Sequence, residues 1–258
     1  MLNLHRIEYI LSQLAQHHRV SISDLSKGLQ VSSETIRRDL KSLEHSGKLL
    51  RVHGAAVATA AVNDKPIEQR SLENANKKDA IARVASKMIV DQTTVFLDTG
   101  TTTLCLARKL SGFSNIKLYT NSVKVALAAK EHHGVTIFLT PGRLRPVEQD
   151  LVGSDTISYI QKFCFNIVFM GCAAIDLEYG CMDFEEDEAH IRRALIKHSR
   201  LSVILADSSK FGKAANIQTA SFSQLDRIVT DSSPNEDFLN QIEKSNAKLL
   251  LTKGHGKP

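Results

Sequence analysis

Two stretches of this chain combine residue types whose spacing points to chemistry. The first is residues 31–43, VSSETIRRDLKSL. Ile36, Leu40 and Leu43 recur at helical spacing and would face a core, which leaves Arg37, Arg38 and Lys41 toward solvent. Ser32, Ser33 and Thr35 open that helix. Hydroxyls and backbone N–H groups at a helix start take phosphates, and arginines take phosphates or guanine edges, so this face suits DNA. A solvated charged face is the plainer alternative. The second stretch is Asp98-Thr99-Gly100-Thr101-Thr102-Thr103. One glycine and four threonines before a helix aim hydroxyls and N–H groups at one point, which makes an anion cradle backed by the helix dipole. A hydroxyl-capped turn is the plainer alternative. The stretch is neither a P-loop nor a GxGxxG, so ATP, NAD and other cofactors are not expected.

The elements around the first stretch strengthen its reading. Arg6, Ile10 and Leu14 mark an amphipathic helix, and Ser21 with Asp24 three residues on has the spacing of a capped second helix carrying Leu25 and Leu29. A short turn, Gln30-Val31-Ser32, leads into the basic helix, which together make a helix-turn-helix. Residues 48–52 read as a strand and His53-Gly54 as a hairpin tip, a wing that brings Arg51 and His53 near a phosphate or a minor groove. In residues 6–56, and above all in Ser32-x-x-Thr35-Ile36-Arg37-Arg38-Asp39-Leu40, the sequence resembles the DeoR family of bacterial transcriptional regulators. That family usually shows His-Gly-Gly-Ala in the wing, where this chain has His53-Gly54-Ala55-Ala56.

Charge distribution agrees. Residues 1–57 carry eight Lys/Arg against five Asp/Glu, while the rest carries 25 against 23, so most of the net +5 sits in the N-terminal fifth. The chain enters an amphipathic helix, and its longest apolar stretch, about residues 167–175, is far too short to span a membrane. A cytoplasmic protein with no membrane partner is expected. Cys105, Cys164, Cys172 and Cys181 show no CxxC pair and read as reduced core or near-core thiols, with no metal site.

The breaker cluster Asn63-Asp64-Lys65-Pro66 separates two regions. Residues 1–57 are read as a winged helix-turn-helix domain, 58–74 as a linker with a short helix at 67–74, and 75–258 as an effector-binding and oligomerisation domain. In the last, apolar strands at 94–97, 116–120, 135–139, 167–170, 201–205, 228–230 and 248–251 alternate with helices, the pattern of a mostly parallel sheet covered on both faces. Ligands of such α/β folds bind beyond the carboxyl ends of the strands. There lie the threonine stretch, Thr120-Asn121-Ser122 (a ligand contact or a plain cap), Pro141-Gly142-Arg143-Leu144-Arg145 (a phosphate partner or solvated arginines) and Ala206-Asp207-Ser208-Ser209-Lys210-Phe211-Gly212 (Lys210 on a phosphate or sugar oxygen, or a surface turn). The acidic run Asp183, Glu185, Glu186, Asp187 and Glu188 reads as the solvated start of a helix.

These segments also resemble the DeoR effector domain, which is similar in fold to ribose-5-phosphate isomerases. The resemblance implies a phosphorylated sugar as effector, with Asp98, Thr99, Gly100, Thr101, Thr102 and Thr103 as the phosphate loop and Asn121, Arg143 and Lys210 nearby. Asp98 would accept a sugar hydroxyl or orient Lys210. Where the family often has glycine, this chain has Ala174, a methyl near the expected pocket. Isomerases of this fold keep an Asp-Gly-Ala-Asp-Glu motif as proton-transfer base, whereas this chain reads Met170-Gly171-Cys172-Ala173-Ala174, without carboxylates, so catalysis is not expected. The reading is a repressor of a sugar catabolism operon that binds double-stranded operator DNA as a dimer or tetramer and is released by a phosphorylated sugar. The alternatives are an isomerase-like enzyme with a DNA-binding head and a regulator controlled by a protein partner.

Overall fold

The structure, a computed structural model, describes residues 2–17, 19–46, 48–52, 54–58 and 67–252. His53, and Gly47 at the end of the basic helix, lie outside the described residues.

The N-terminal region runs α1 (Leu2–His17), β1 (Arg19–Ser21), α2 (Ile22–Leu29), α3 (Ser33–His45), β2 (Leu49–Val52) and β3 (Ala55–Ala58). Ser21 caps α2: its Oγ accepts from the Asp24 N–H at 3.0 Å and donates to the Asp24 carboxylate at 2.7 Å. Gln30, at φ 53°, closes the turn, and Ser32 caps α3 by accepting from the Thr35 N–H at 3.2 Å. The expected stripe is the core: Ile36, Leu40 and Leu43 bury against Ile10, Leu14, Leu25 and Leu49. Each such side chain contributes about 1.5–3 kcal/mol by leaving water. Two features were not expected. Arg19–Ser21 forms a strand that completes a three-stranded wing in the order β1-β3-β2; three residues are too few to show alternation, and their partner lies more than thirty residues away in sequence. Asp39, inside the basic helix, is buried and accepts a forked pair from Arg6 of α1 at 2.7 and 3.1 Å, which pins α3 to α1.

The second region runs α4 (Ile67–Leu72), α5 (Ala75–Ser86), β4 (Thr94–Leu97), α6 (Thr101–Ala107), β5 (Ile116–Thr120), α7 (Val123–Ala129), β6 (Val135–Leu139), β7 (Arg143–Arg145), β8 (Asp150–Val152), α8 (Ser154–Ile160), β9 (Ile167–Met170), β10 (Ala174–Asp176), β11 (Gly180–Asp183), α9 (Glu186–Lys197), β12 (Ser202–Leu205), β13 (Ile217–Ala220), β14 (Arg227–Thr230), α10 (Glu236–Lys244) and β15 (Lys248–Leu251). Seven of the strands form a parallel sheet in the order β15-β14-β12-β9-β4-β5-β6. Successive side chains go to opposite faces. Val95, Leu97, Phe169 and Val203 pack with Ile81, Leu106 and Val125. Phe96, Val168, Met170 and Ile204 pack with Ile160, Ile191 and Phe238.

From β4 the chain moves to β5 and β6 on one side and later returns to β9 on the other. The crevice this reversal opens at the carboxyl ends of β4 and β9 is where an α/β sheet takes a ligand. An antiparallel sheet, β10-β11-β13, and a hairpin, β7-β8, stand around that end. Neither was expected from sequence, because strands of three or four residues such as Gly180–Asp183 carry no alternating pattern. Arg143 and Arg145, expected in a loop, lie on β7.

Candidate functional site

A cavity of about 460 Å³ opens at the crevice. Thr99, Gly100, Thr101 and Thr102 follow β4, Gly171 to Ala174 follow β9, and Ala206, Asp207, Ser209 and Lys210 follow β12. Arg70, Glu73, Asn74 and Lys78 wall it from α4, the turn after it, and α5.

The threonine stretch is built as a turn into α6. Gly100 takes φ 144°, which side chains rarely adopt, and its carbonyl accepts from Leu104 N–H at 3.0 Å and Thr103 Oγ1 at 2.9 Å. The helix therefore starts at Thr101. The Thr99 N–H donates to Asn121 Oδ1 at 3.1 Å, and Thr99 Oγ1, buried in the cavity wall, has no hydrogen-bond partner among the described residues.

Cations converge on the same space. Lys78 is buried and donates to the Arg70 carbonyl. Burial pushes its pKa below the usual lysine value, with nearby Lys210 adding to the fall and Asp207 opposing it. Lys210 and Lys213 also line the cavity. Arg70 is paired with Glu148, and both side chains are mostly buried.

Behind the cavity lies a buried ionic network. Arg192 on α9 donates from Nε to Asp98 Oδ2 at 2.6 Å and pairs through Nη1 with Asp183 and with Glu188 at 3.1 Å; the Nη1 contacts are close but not aligned as hydrogen bonds. Arg145 forks onto Asp150 at 2.6 and 2.8 Å and reaches Glu188 at 2.6 Å. Burial pushes Asp98 up to about 6 despite Arg192. Burial raises Asp150 too, whereas Arg192 and Arg145 outweigh burial at Glu188 and hold it below the usual range.

The sequence-predicted effector residues thus divide. Thr99, Gly100, Thr101, Thr102 and Lys210 line the cavity. Asp98, Thr103 and Asn121 are buried but do not line it. Asp98 does not orient Lys210: its partner is Arg192. Arg143 is exposed and paired with Asp187 at 2.7 Å, away from the cavity lining. The acidic run is not a solvated helix start throughout, since Asp183 is buried and Glu188 mostly buried, each beside an arginine. Ala174 lines the cavity as expected. Of the thiols, all four free, Cys164 is exposed rather than near-core, and Cys172 lines the cavity.

Sequence reasoning missed Lys78, Arg70, Glu148 and Arg192. A signal existed for two of them. Lys78 sits at helical spacing with buried Ile81, Ala82 and Ala85, and Arg192 with buried Ala189 and Leu195. A charge inside an apolar stripe needs a buried partner or a ligand.

On the N-terminal region, Ser32, Ser33, Arg37, Arg38, Lys41 and Arg51 are exposed and Thr35 is half-buried. Ser32 and Thr35 hydroxyls lie 2.9 Å apart, Arg37 pairs with Glu34 at 3.4 Å, and Arg51 with Glu44 at 2.9 Å. Among the described residues no group of His, Cys, Asp or Glu is placed to hold a metal ion, and no helix is long and apolar enough to cross a membrane.

Residues 6–61 match the DeoR-like helix-turn-helix domain and residues 73–232 the DeoR C terminal sensor domain. The chain is 33% identical to the HTH-type transcriptional regulator GlpR of Haloferax volcanii over 97% of its length and 98% of that protein. It is 31% identical to the glycerol-3-phosphate regulon repressor of Escherichia coli (strain K12) over 94% of its length and 96% of that protein. Ribose 5-phosphate isomerase A of Methanocaldococcus jannaschii superposes on 54% of this chain and 55% of its own, with 15% identity and a TM-score of 0.39. With a reading helix at one end and a ligand-sized cavity in the sensor region, and with full-length relatives that regulate transcription rather than catalyse a reaction, the chain belongs to the DeoR family of DNA-binding transcriptional regulators.

Proposed function

We propose that this regulator represses a sugar catabolism operon and that a phosphorylated sugar bound in the cavity releases it from its operator. The observation that carries the reading is the meeting of Lys78, Lys210 and the unpartnered Thr99 hydroxyl in one cavity. A buried lysine whose charge is penalised by burial and by a second lysine is relieved by an anion, and a phosphate supplies both the charge and an acceptor for the hydroxyl. Thr99 to Thr102 and Lys210 hold the phosphate. Asp98, Thr103 and Asn121 act at one remove, by holding Arg192, the Gly100 turn and the Thr99 backbone. One relative is named for glycerol-3-phosphate, which belongs in the test panel beside hexose and pentose phosphates.

On the DNA side, Ser32, Ser33, Thr35, Arg37, Arg38 and Lys41 of α3 face the operator, with Arg51 of the wing on a flanking phosphate. One reading helix per chain suits a homo-oligomer on a two-fold operator, because paired half-sites one helical turn apart need two such helices.

Thermal denaturation of the full chain with phosphorylated sugars and their free sugars tests the reading. Phosphorylated compounds raise the sensor's melting temperature and free sugars do so far less, since stabilisation follows affinity by mass action. Equal shifts for both would remove the phosphate from the recognition, and no shift with any compound would make control by a protein partner the better account.

A further inference from the structure

We propose that Arg70 is a ligand contact and that residues 67–72, in the stretch that leads from the DNA-reading region into the sensor, form a strap that ligand and protein compete to hold. The inference rests on the cavity being the effector site. Arg70, Glu73 and Asn74 all line that cavity, and they lie on α4 and the turn after it. In sequence α4 is the first described element after β3. The described end of the connection between reading and sensing, residues 67–74, therefore runs along the cavity wall.

Three contacts among the described residues help to hold α4 in place. Ile67 is fully buried. The Arg70 side chain is paired with Glu148. The Arg70 carbonyl, at the end of the helix, accepts from Lys78 Nζ. The last two contacts are made by cavity cations. A phosphate that enters beside Thr99 and Lys210 meets the same Arg70 and Lys78. It competes with Glu148 for the guanidinium and with the Arg70 carbonyl for the ammonium. A phosphate matches the guanidinium fork as well as a carboxylate does and carries more charge. Ligand contacts on these two groups compete with the contacts by which the protein holds α4. Ligand affinity therefore differs between the docked and released strap, which is the condition for coupling two sites. The opposite end of the turn stays anchored: Asn74 donates to Asp207 and Ser209, and Lys77 to Ser208. Release is thus confined to α4, on the side toward the DNA-reading region in sequence.

Amide hydrogen exchange and DNA binding of the full chain test this, using DNA selected by the protein from random sequence. Glu148→Gln removes the protein's carboxylate competitor for Arg70 and needs no ligand. It should speed exchange over residues 67–72 and weaken DNA binding about tenfold, within the usual range of coupling between sites. Unchanged exchange and unchanged DNA affinity in the folded variant overturn the strap. In the wild type, glycerol 3-phosphate or inorganic phosphate should speed exchange over the same residues; a bound phosphate that leaves or increases their protection also overturns it. Arg70→Lys keeps the charge but loses the fork, and should weaken binding of the same probes. Failure of both probes to bind wild type, with Glu148→Gln still loosening α4 and weakening DNA binding, refutes the phosphate and leaves the strap standing.

Discussion

The basic helix and the sensor cavity hold comparable charges in opposite settings. In α3, Arg37 is 58% exposed and its partner Glu34 72%, 3.4 Å apart. In the sensor, Arg192 is 4% exposed and lies within reach of Asp98, Asp183 and Glu188, none more than 12% exposed. An exposed pair of this kind is worth little and exchanges readily for a phosphate. A buried network cannot lose one member without stranding another charge in low dielectric. The first arrangement suits a surface that must bind and leave DNA; the second suits a frame that must keep a cavity in one shape. The cavity cations Lys78, buried, and Arg70, mostly buried, lie between these limits, each paired with a group a ligand can replace.

The largest effect should come from breaking the frame. Arg192→Met leaves Asp98, Asp183 and Glu188 without their shared cation and should cost the sensor about 3–5 kcal/mol, read from urea midpoints. A loss under about 1 kcal/mol would mean that the network is solvated like the pair on α3.

Next in size is a pH effect. Asp98 is raised to about 6, above the ordinary 3.8, so the native state holds its proton more tightly than the unfolded chain. Stability from this group is fully present below about pH 4 and lost as pH rises through about 6, a change of about 3 kcal/mol. Asp98→Asn should flatten the stability curve in that window. Glu188, held below its usual range, pulls the other way as pH falls, so the comparison is between variant and wild type rather than with a flat line. Parallel curves for the two proteins would place the pH sensitivity elsewhere.

Smaller again, and confined to function, are changes on α3. Arg37→Ala or Arg38→Ala should weaken operator binding by about 1–3 kcal/mol where a base is read, or lower the salt dependence where a phosphate is met. The melting temperature should stay close to wild type because both side chains are exposed. Unchanged gel shifts for both folded variants would take α3 out of the interface.

The same contrast explains what could be read from sequence. The DNA-reading region was legible because its signals are local: Ser21 and Ser32 cap helices a few residues away, and Ile36, Leu40 and Leu43 repeat at the helical period. The seven strands of the parallel sheet were legible for a similar reason, as short and mostly apolar runs, of which Ile167–Met170 is wholly buried. Thr99 to Thr102 line the cavity, but Asp98 is held by Arg192, 94 residues away, and not by Lys210. Arg70 and Glu148 are 78 apart, and nothing in either neighbourhood names the other. Lys78 was the missed clue, a lysine in an apolar stripe that a local reading leaves unexplained. Gly100→Val is a poor probe of the site, since at φ 144° any side chain strains the turn before it meets a ligand.

The claim that the cavity governs DNA binding is tested most directly by titrating phosphorylated sugars into a fluorescent complex of the full chain with its selected DNA, in wild type and in Lys210→Ala. At least one phosphorylated sugar should release the wild-type complex, while its free sugar does not. Lys210→Ala should bind the DNA as tightly as wild type and need at least about tenfold more effector for release, a loss of about 1.4 kcal/mol. Equal release of both proteins, or no release by any phosphorylated sugar, would contradict the account.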